Sequence, residues 1–327
     1  MSLLWLCQPT QSHPLPPRPK SAAADLRCEK APGAAGNGGI GAMRKVAAYK
    51  RIKASRQRKS LKLLPTSPRH IKSTTPDMSP FRLAVLECDT PVPNVLKERG
   101  SYGSVFQRLL TDGLHGLGDR GKGVDFCILK YDVVQHQTYP ELSDVDGILI
   151  TGSKHTAFND DPWIVSLVEY IRQVLTASKT PVVGICFGHQ IIGRALGATT
   201  GRAPGGWEVS VEKVDLCDQG QQLFGVSSLQ LHQMHRDEVA TLPEGLVNLG
   251  SSPRCPIQGL YKPNSLLSLQ AHPEFDDFIM SEIMTMRHSQ RIFDDEMFRD
   301  GMARAGDSHD GRLVSAKIWE FFLDTVA

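Results

Sequence analysis

The segment Pro181-Val182-Val183-Gly184-Ile185-Cys186-Phe187-Gly188-His189-Gln190 carries the first sign of chemistry. An apolar run ends at a cysteine with a glycine two residues away on either side, and the pattern then turns helical. A strained strand-to-helix turn of this kind lifts its central side chain above a sheet. The glycines leave room for the tight backbone, and the helix N-terminus favours negative charge at the centre. Cys186 is therefore read as an exposed thiol on an elbow and as a nucleophile. Its base is sought in Leu269-Gln270-Ala271-His272-Pro273-Glu274-Phe275. There a strand delivers His272 at its end, Pro273 stiffens the turn, and Glu274 can orient the imidazole through its second nitrogen, as in a general Cys–His–acid arrangement.

Free cysteines more often pack than react, and Cys88, Cys127, Cys217 and Cys255 are assigned to packing because none has an elbow around it. His155, His189, His232 and His235 are given solvated or structural roles, since none has an acid at an orienting spacing. A metal site on His232 and His235 is disfavoured by the lack of a nearby third ligand. No metal and no cofactor is expected.

These residues require a scaffold of buried strands. Arg82–Leu86, Val124–Leu129, Gly147–Ile150 and Pro181–Ile185 are short apolar runs ending in turn residues, as expected of parallel strands covered on both faces. Helical periodicity appears at Ser104–Leu110 and, behind an Asp-Asp-Pro start, over Asp161–Ala177. Alternating strand and helix predicts an open, mostly parallel α/β sheet with helices on both faces. The second half is β-rich, with strands at Trp207–Leu216, Leu229–Met234, Ile257–Tyr261 and Leu266–Gln270, followed by helices at Asp276–Arg291 and Leu313–Thr325. Dehydrogenase and methyltransferase readings fail because Glu87-Cys88-Asp89-Thr90-Pro91 stands where a GxGxxG would follow the first strand.

The chain of 327 residues has a formal charge of only +2, and that figure hides a division. Residues 1–77 hold 15 Lys/Arg against 3 Asp/Glu, a net +12, which leaves 22 against 32, a net −10, on residues 78–327. The first segment is rich in Pro, Ala, Gly and Ser and lacks periodic apolar residues, so residues 1–77 are expected to be a disordered basic extension. Its composition fits a nucleic-acid contact, a nuclear import signal or a mitochondrial presequence. A solvated tail or an upstream extension of the reading frame is the preferred reading. Residues 78–327 form one α/β domain. No apolar run is long enough to span a bilayer, and the opening apolar stretch is too short for a secretory signal. Seven cysteines without CxxC spacing point to reduced thiols in an intracellular compartment. The cytoplasm is the expected location, ahead of the nucleus and the mitochondrion.

Together, Gly184-Ile185-Cys186-Phe187-Gly188-His189-Gln190 and His272-Pro273-Glu274 make the sequence resemble the class I glutamine amidotransferase domain. The resemblance covers roughly residues 80–280 and takes in the opening strand, Ile148-Leu149-Ile150-Thr151-Gly152-Ser153 and Gly206-Trp207-Glu208-Val209. Within that family it is most similar to stand-alone, GMP-synthase-like proteins of fungi and plants, some of them γ-glutamyl peptidases.

The resemblance implies a Cys186–His272–Glu274 triad, an oxyanion hole from the backbone N–H groups of Gly152 and Phe187, and support of a glutamyl pocket by Gln190. It implies hydrolysis of glutamine or a γ-glutamyl small molecule through a thioester, with a separate synthase subunit as the partner if ammonia is passed on. The alternative is a non-catalytic regulatory or binding module on the same fold. No phosphate-binding Ser-Gly-Gly-Val-Asp-Ser type loop follows Glu274, so GMP synthesis by this chain alone is not expected. The loop Ser153–Asp160 also departs from the family, being longer and more polar than the Gly-Gly-Pro loop of many relatives.

Overall fold

The computed structural model describes residues 79–326. The basic extension read at residues 1–77, and the domain start placed at Met78, lie outside the described residues. The strands are β1 (Phe81–Glu87), β2 (Phe126–Asp132), β3 (Gly147–Ile150), β4 (Val182–Ile185), β5 (Thr200–Arg202), β6 (Glu208–Leu216), β7 (Ser228–His235), β8 (Asp237–Val239), β9 (Val247–Asn248), β10 (Gly250–Ser251), β11 (Gly259–Lys262) and β12 (Leu266–Leu269). The helices are α1 (Pro93–Arg99), α2 (Tyr102–Gly116), α3 (Pro162–Ala177), α4 (Phe187–Ala195), α5 (Asp218–Phe224), α6 (Asp277–Ser289), α7 (Asp295–Arg304) and α8 (Gly311–Val326). No helix among the described residues is long and apolar enough to cross a membrane.

A seven-stranded sheet in the order β2-β1-β3-β4-β12-β11-β9 forms the centre. Its first five strands are mutually parallel, and β11 and β9 run antiparallel to their neighbours. Side chains alternate across it as the period of two demands. Leu83, Val85, Leu149, Val183 and Leu267 join Phe106 and Leu110 of α2 and Ile318, Trp319 and Phe322 of α8. Ala84, Leu86, Ile148, Ile150, Val182 and Leu266 face Ile164, Leu167 and Ile171 of α3 and Ile191 and Ile192 of α4. Both faces are covered, which is why these strands read as unbroken apolar runs. A three-stranded antiparallel sheet, β10-β6-β7, and the pair β5-β8 supply the β-rich second half.

The helices α1, α5 and α7 escape a pattern-based reading for a physical reason. Each buries almost nothing completely: α1 only Val95, α5 only Gly220 and Phe224, and α7 only Gly301, with Met297, Phe298 and Met302 half-covered. The start of α7 is fixed by its cap, where the Asp294 carboxylate accepts from the Met297 N–H at 2.8 Å. The start of α6 is capped the same way by Asp276 on Ile279.

At the β4–α4 junction, a methyl group on Gly188 would lie 2.5 Å from the Ile150 carbonyl oxygen, on backbone that cannot rotate away. Gly188→Ala is therefore expected to push α4 off β3 and to cost about 1–3 kcal/mol of stability, read as a lowered Tm. An unchanged Tm would show that the helix and strand are not held at this spacing.

Candidate active site

Cys186 sits between β4 and α4 with φ +53° and ψ −102°, a conformation that side-chain-bearing residues rarely adopt. Its N–H donates to the Leu269 carbonyl of β12 at 2.8 Å, an extension of the β4–β12 ladder. That ladder delivers His272 to the same end of the sheet three residues later. The His272 N–H donates to the His232 carbonyl at 2.8 Å, which ties the turn after β12 to β7. The imidazole is fixed from two sides. Glu274 Oε1 stands 2.8 Å from Nδ1, and the Phe275 ring stacks on it at 4.0 Å between centroids. His272 is also close enough to Cys186 to be held protonated by its charge. Burial works against a charged imidazole, but the Glu274 carboxylate and the negative charge on Cys186 outweigh it, so His272 holds its proton well above the usual imidazole range.

The elbow differs from expectation in one respect. The thiol is not exposed: Cys186 is only 5% accessible. The backbone at Gly152, just past β3, closes over it, because a Cβ there would fall 2.8 Å from His272 Cε1 and 3.7 Å from Cys186 Cβ. Phe187 occupies the first turn of α4, so its N–H has no acceptor within the helix, and its ring stacks on Trp163 at 5.6 Å. Gly152 and Phe187 thus flank Cys186 from two different strand ends. Gln190 is buried one turn further along α4, where its amide nitrogen donates to the Asp237 carbonyl at 2.9 Å and to Gln270 Oε1 at 3.0 Å. It braces α4 against β8 and the end of β12.

His155, His189, His232 and His235 are all structurally engaged. His189 is fully buried with Nδ1 2.9 Å from Ser268 Oγ. Burial drops the His232 pKa to about 3, and its ring packs against His309 at 4.8 Å. His155 meets Trp163 edge-on at 5.2 Å. For His235 the expectation that no acid is positioned to orient it is corrected. Its Nε2 lies 3.0 Å from Glu208 Oε2, and its Nδ1 lies 3.1 Å from the Asp237 carbonyl. The acid comes from the neighbouring strand, where Glu208 is paired in register with His235. No sequence spacing reveals such a partner.

The lack of a third potential metal ligand is corrected too. The ligand atoms of Glu208, His235 and Cys255 lie within 4.8 Å of one another, without His232. Their bonds are already committed. Glu208 accepts from Ser252 at 2.6 Å and Gln258 at 2.8 Å, and against burial the hydrogen bonds of His235 and Ser252 hold its carboxyl below the usual range. Burial pushes the Cys255 thiol far up, away from the thiolate a metal would need. Burial does the same to Cys88.

Beside His272 opens a cavity of about 350 Å³. Asp89, Pro91 and Val92 of the β1–α1 loop wall one side, and Phe275, Ile283, Met286 and Arg287 around α6 wall the other. Lys154 closes its rim and is paired with Asp89 through both its backbone N–H and its ammonium. Sequence reading misses this cavity because its walls come from four separate segments and carry no motif.

An elbow cysteine faced by a histidine–carboxylate pair, at the carboxyl ends of neighbouring parallel strands, defines an open-sheet α/β protein with a preformed thiol site. The family model described as glutamine amidotransferase class-I matches residues 105–290. A glutamine amidotransferase-like protein of Schizosaccharomyces pombe is 32% identical over 251 residues, spanning 75% of this chain and 99% of the relative. Gamma-glutamyl peptidase 3 of Arabidopsis thaliana is 30% identical over 253 residues, spanning 74% of this chain and 96% of the peptidase. The fold is similar to that of a glutamine amidotransferase from Thermotoga maritima, with a TM-score of 0.56 over 74% of this chain and 98% of the other, at 19% identity. The chain belongs to the class-I glutamine amidotransferases.

Proposed function

We propose that the protein hydrolyses the γ-amide bond of glutamine or of a γ-glutamyl compound through a thioester on Cys186. The observation that carries this reading is the Cys186–His272–Glu274 alignment, with the base oriented at 2.8 Å and holding its proton against burial. Cys186 sulfur attacks the γ-carbonyl carbon and a C–S bond forms. The oxyanion takes hydrogen bonds from the N–H groups of Gly152 and Phe187. The C–N bond breaks as His272 gives its proton to the departing amine. His272, now neutral, takes a proton from water, the resulting hydroxide adds to the thioester carbonyl, and the C–S bond breaks to release glutamate and restore the starting charges. Gln190 holds α4 in place behind the glutamyl pocket.

The cytoplasm, where thiols are kept reduced, is the compartment that suits the free cysteines of this chain. A separate synthase subunit is the partner this reading requires only where the amine is ammonia destined for another substrate.

The test is product analysis of the purified protein incubated separately with glutamine, glutathione and glutathione conjugates. Glutamate is expected from at least one of them, together with its stoichiometric amine. Absence of glutamate from all, in protein whose fold is intact, would leave a binding module and overturn the proposal.

A further inference from the structure

Arg287 of α6 is a cation without an ion pair among the described residues. Its Nε is buried with no hydrogen-bond partner. It lies 5.4 Å from the centroid of the Trp207 ring, and the Arg236 guanidinium lies 5.2 Å from the same ring. Arg236 also lacks an ion pair among the described residues, so two like charges share one indole. Burial and the charge of Arg236 work against the Arg287 cation, and the charges of Asp89 and Cys186 offset them only in part. Asp89, the acid on the opposite cavity wall, is spent on Lys154. Such an arrangement is costly when empty and favourable when an anion enters.

The anion's place follows from the reaction. If His272 protonates the leaving amine, the leaving group must lie against His272, and Arg287 lines the cavity that continues from that imidazole. Gln190 and Phe187, assigned to the glutamyl side in the proposed function, do not line this cavity. At about 350 Å³ it is also far larger than ammonia requires, about the 30 Å³ a water molecule occupies in the liquid. Pro91, Val92, Met234, Phe275, Ile283 and Met286 make most of its wall apolar.

On the reading that this protein cleaves γ-glutamyl amides, we propose that Arg287, supported by Arg236 across Trp207, binds the free carboxylate of the leaving amino acid or short peptide, whose apolar side chain fills the cavity beside His272. The protein then selects γ-glutamyl amino acids or peptides over glutamine.

The experiment compares kcat/KM for γ-glutamyl-phenylalanine, γ-glutamyl-phenylalaninamide and glutamine. In the wild type the free acid is expected to exceed the amide by about 10- to 100-fold, the worth of a charge-assisted contact. In Arg287→Gln the acid-to-amide ratio should collapse towards one, chiefly through a raised KM for the acid, and Arg287→Lys should restore part of it. Tm of each variant separates this effect from unfolding. A wild-type ratio near one would overturn the proposal. So would an equal loss on all three substrates in a folded Arg287→Gln, because the arginine would then serve the glutamyl end. Turnover of glutamine alone would overturn the proposal as well, whereas failure of the underlying reading looks different: none of the three substrates is turned over.

Discussion

Cys186→Ala loses turnover by about 10⁴-fold or more, while the protein folds as before. Removing one sulfur atom from a site 5% accessible leaves only a small void, and Tm should move little. A second variant tests whether the elbow itself is strained for function. Replacing alanine by glycine ordinarily costs about 0.5–1 kcal/mol through backbone entropy. At φ +53° and ψ −102°, however, a Cβ is the liability. Cys186→Gly should therefore be at least as stable as Cys186→Ala, reversing the ordinary order, with both equally inactive. Retained turnover in either variant would remove the nucleophile assignment, and a markedly less stable glycine variant would remove the strain.

His272→Asn should lose about 10²- to 10⁴-fold in rate, and Glu274→Gln less, because an orienting carboxylate acts through the base it positions. As the residues work as a unit, the double variant should be little worse than His272→Asn alone. Multiplicative losses would mean that they act independently. The pH profile supplies a second reading. The Glu274 carboxylate helps keep His272 protonated, so Glu274→Gln should bring the alkaline limb of kcat/KM to lower pH. Stability follows the same sign. Because the folded imidazole is raised above its unfolded value of about 6.5, its contribution is complete below that pH and is lost as pH rises through the folded value. The stability deficit of Glu274→Gln should accordingly be largest in mildly acid solution and narrow as the solution becomes alkaline. A deficit that grows with alkalinity would contradict the charged-pair description.

The parts of this molecule that were legible in the sequence are those whose geometry is local. Gly184-Ile185-Cys186-Phe187-Gly188 encodes its own turn, and His272-Pro273-Glu274 holds base and carboxylate within three residues. The core strands were legible because coverage on both faces leaves them continuously apolar. The Glu208–His235 pair was hidden, as its members are joined only by the register of β6 on β7. Arg287 looks like any basic residue in the last turn of an amphipathic helix. What distinguishes it is the missing counter-charge, which only packing exposes. The burial of Cys186 was unforeseen because it depends on how the chain past β3 lies over the elbow.

Cys186 and His272 are far apart in the chain, yet they are placed by two strands hydrogen-bonded side by side, Ile185 opposite Leu269. Their separation is thus set chiefly by the ladder, with the His232 carbonyl of β7 holding the turn, and not by the length of the chain between them. That intervening excursion contains Trp207, Glu208, Arg236 and the whole of β5 to β11. The excursion carries Trp207 and Arg236, which support Arg287, while Arg287 itself and most of the cavity wall lie outside it. A change of length in a loop of that excursion can therefore be absorbed without moving the sulfur relative to the imidazole.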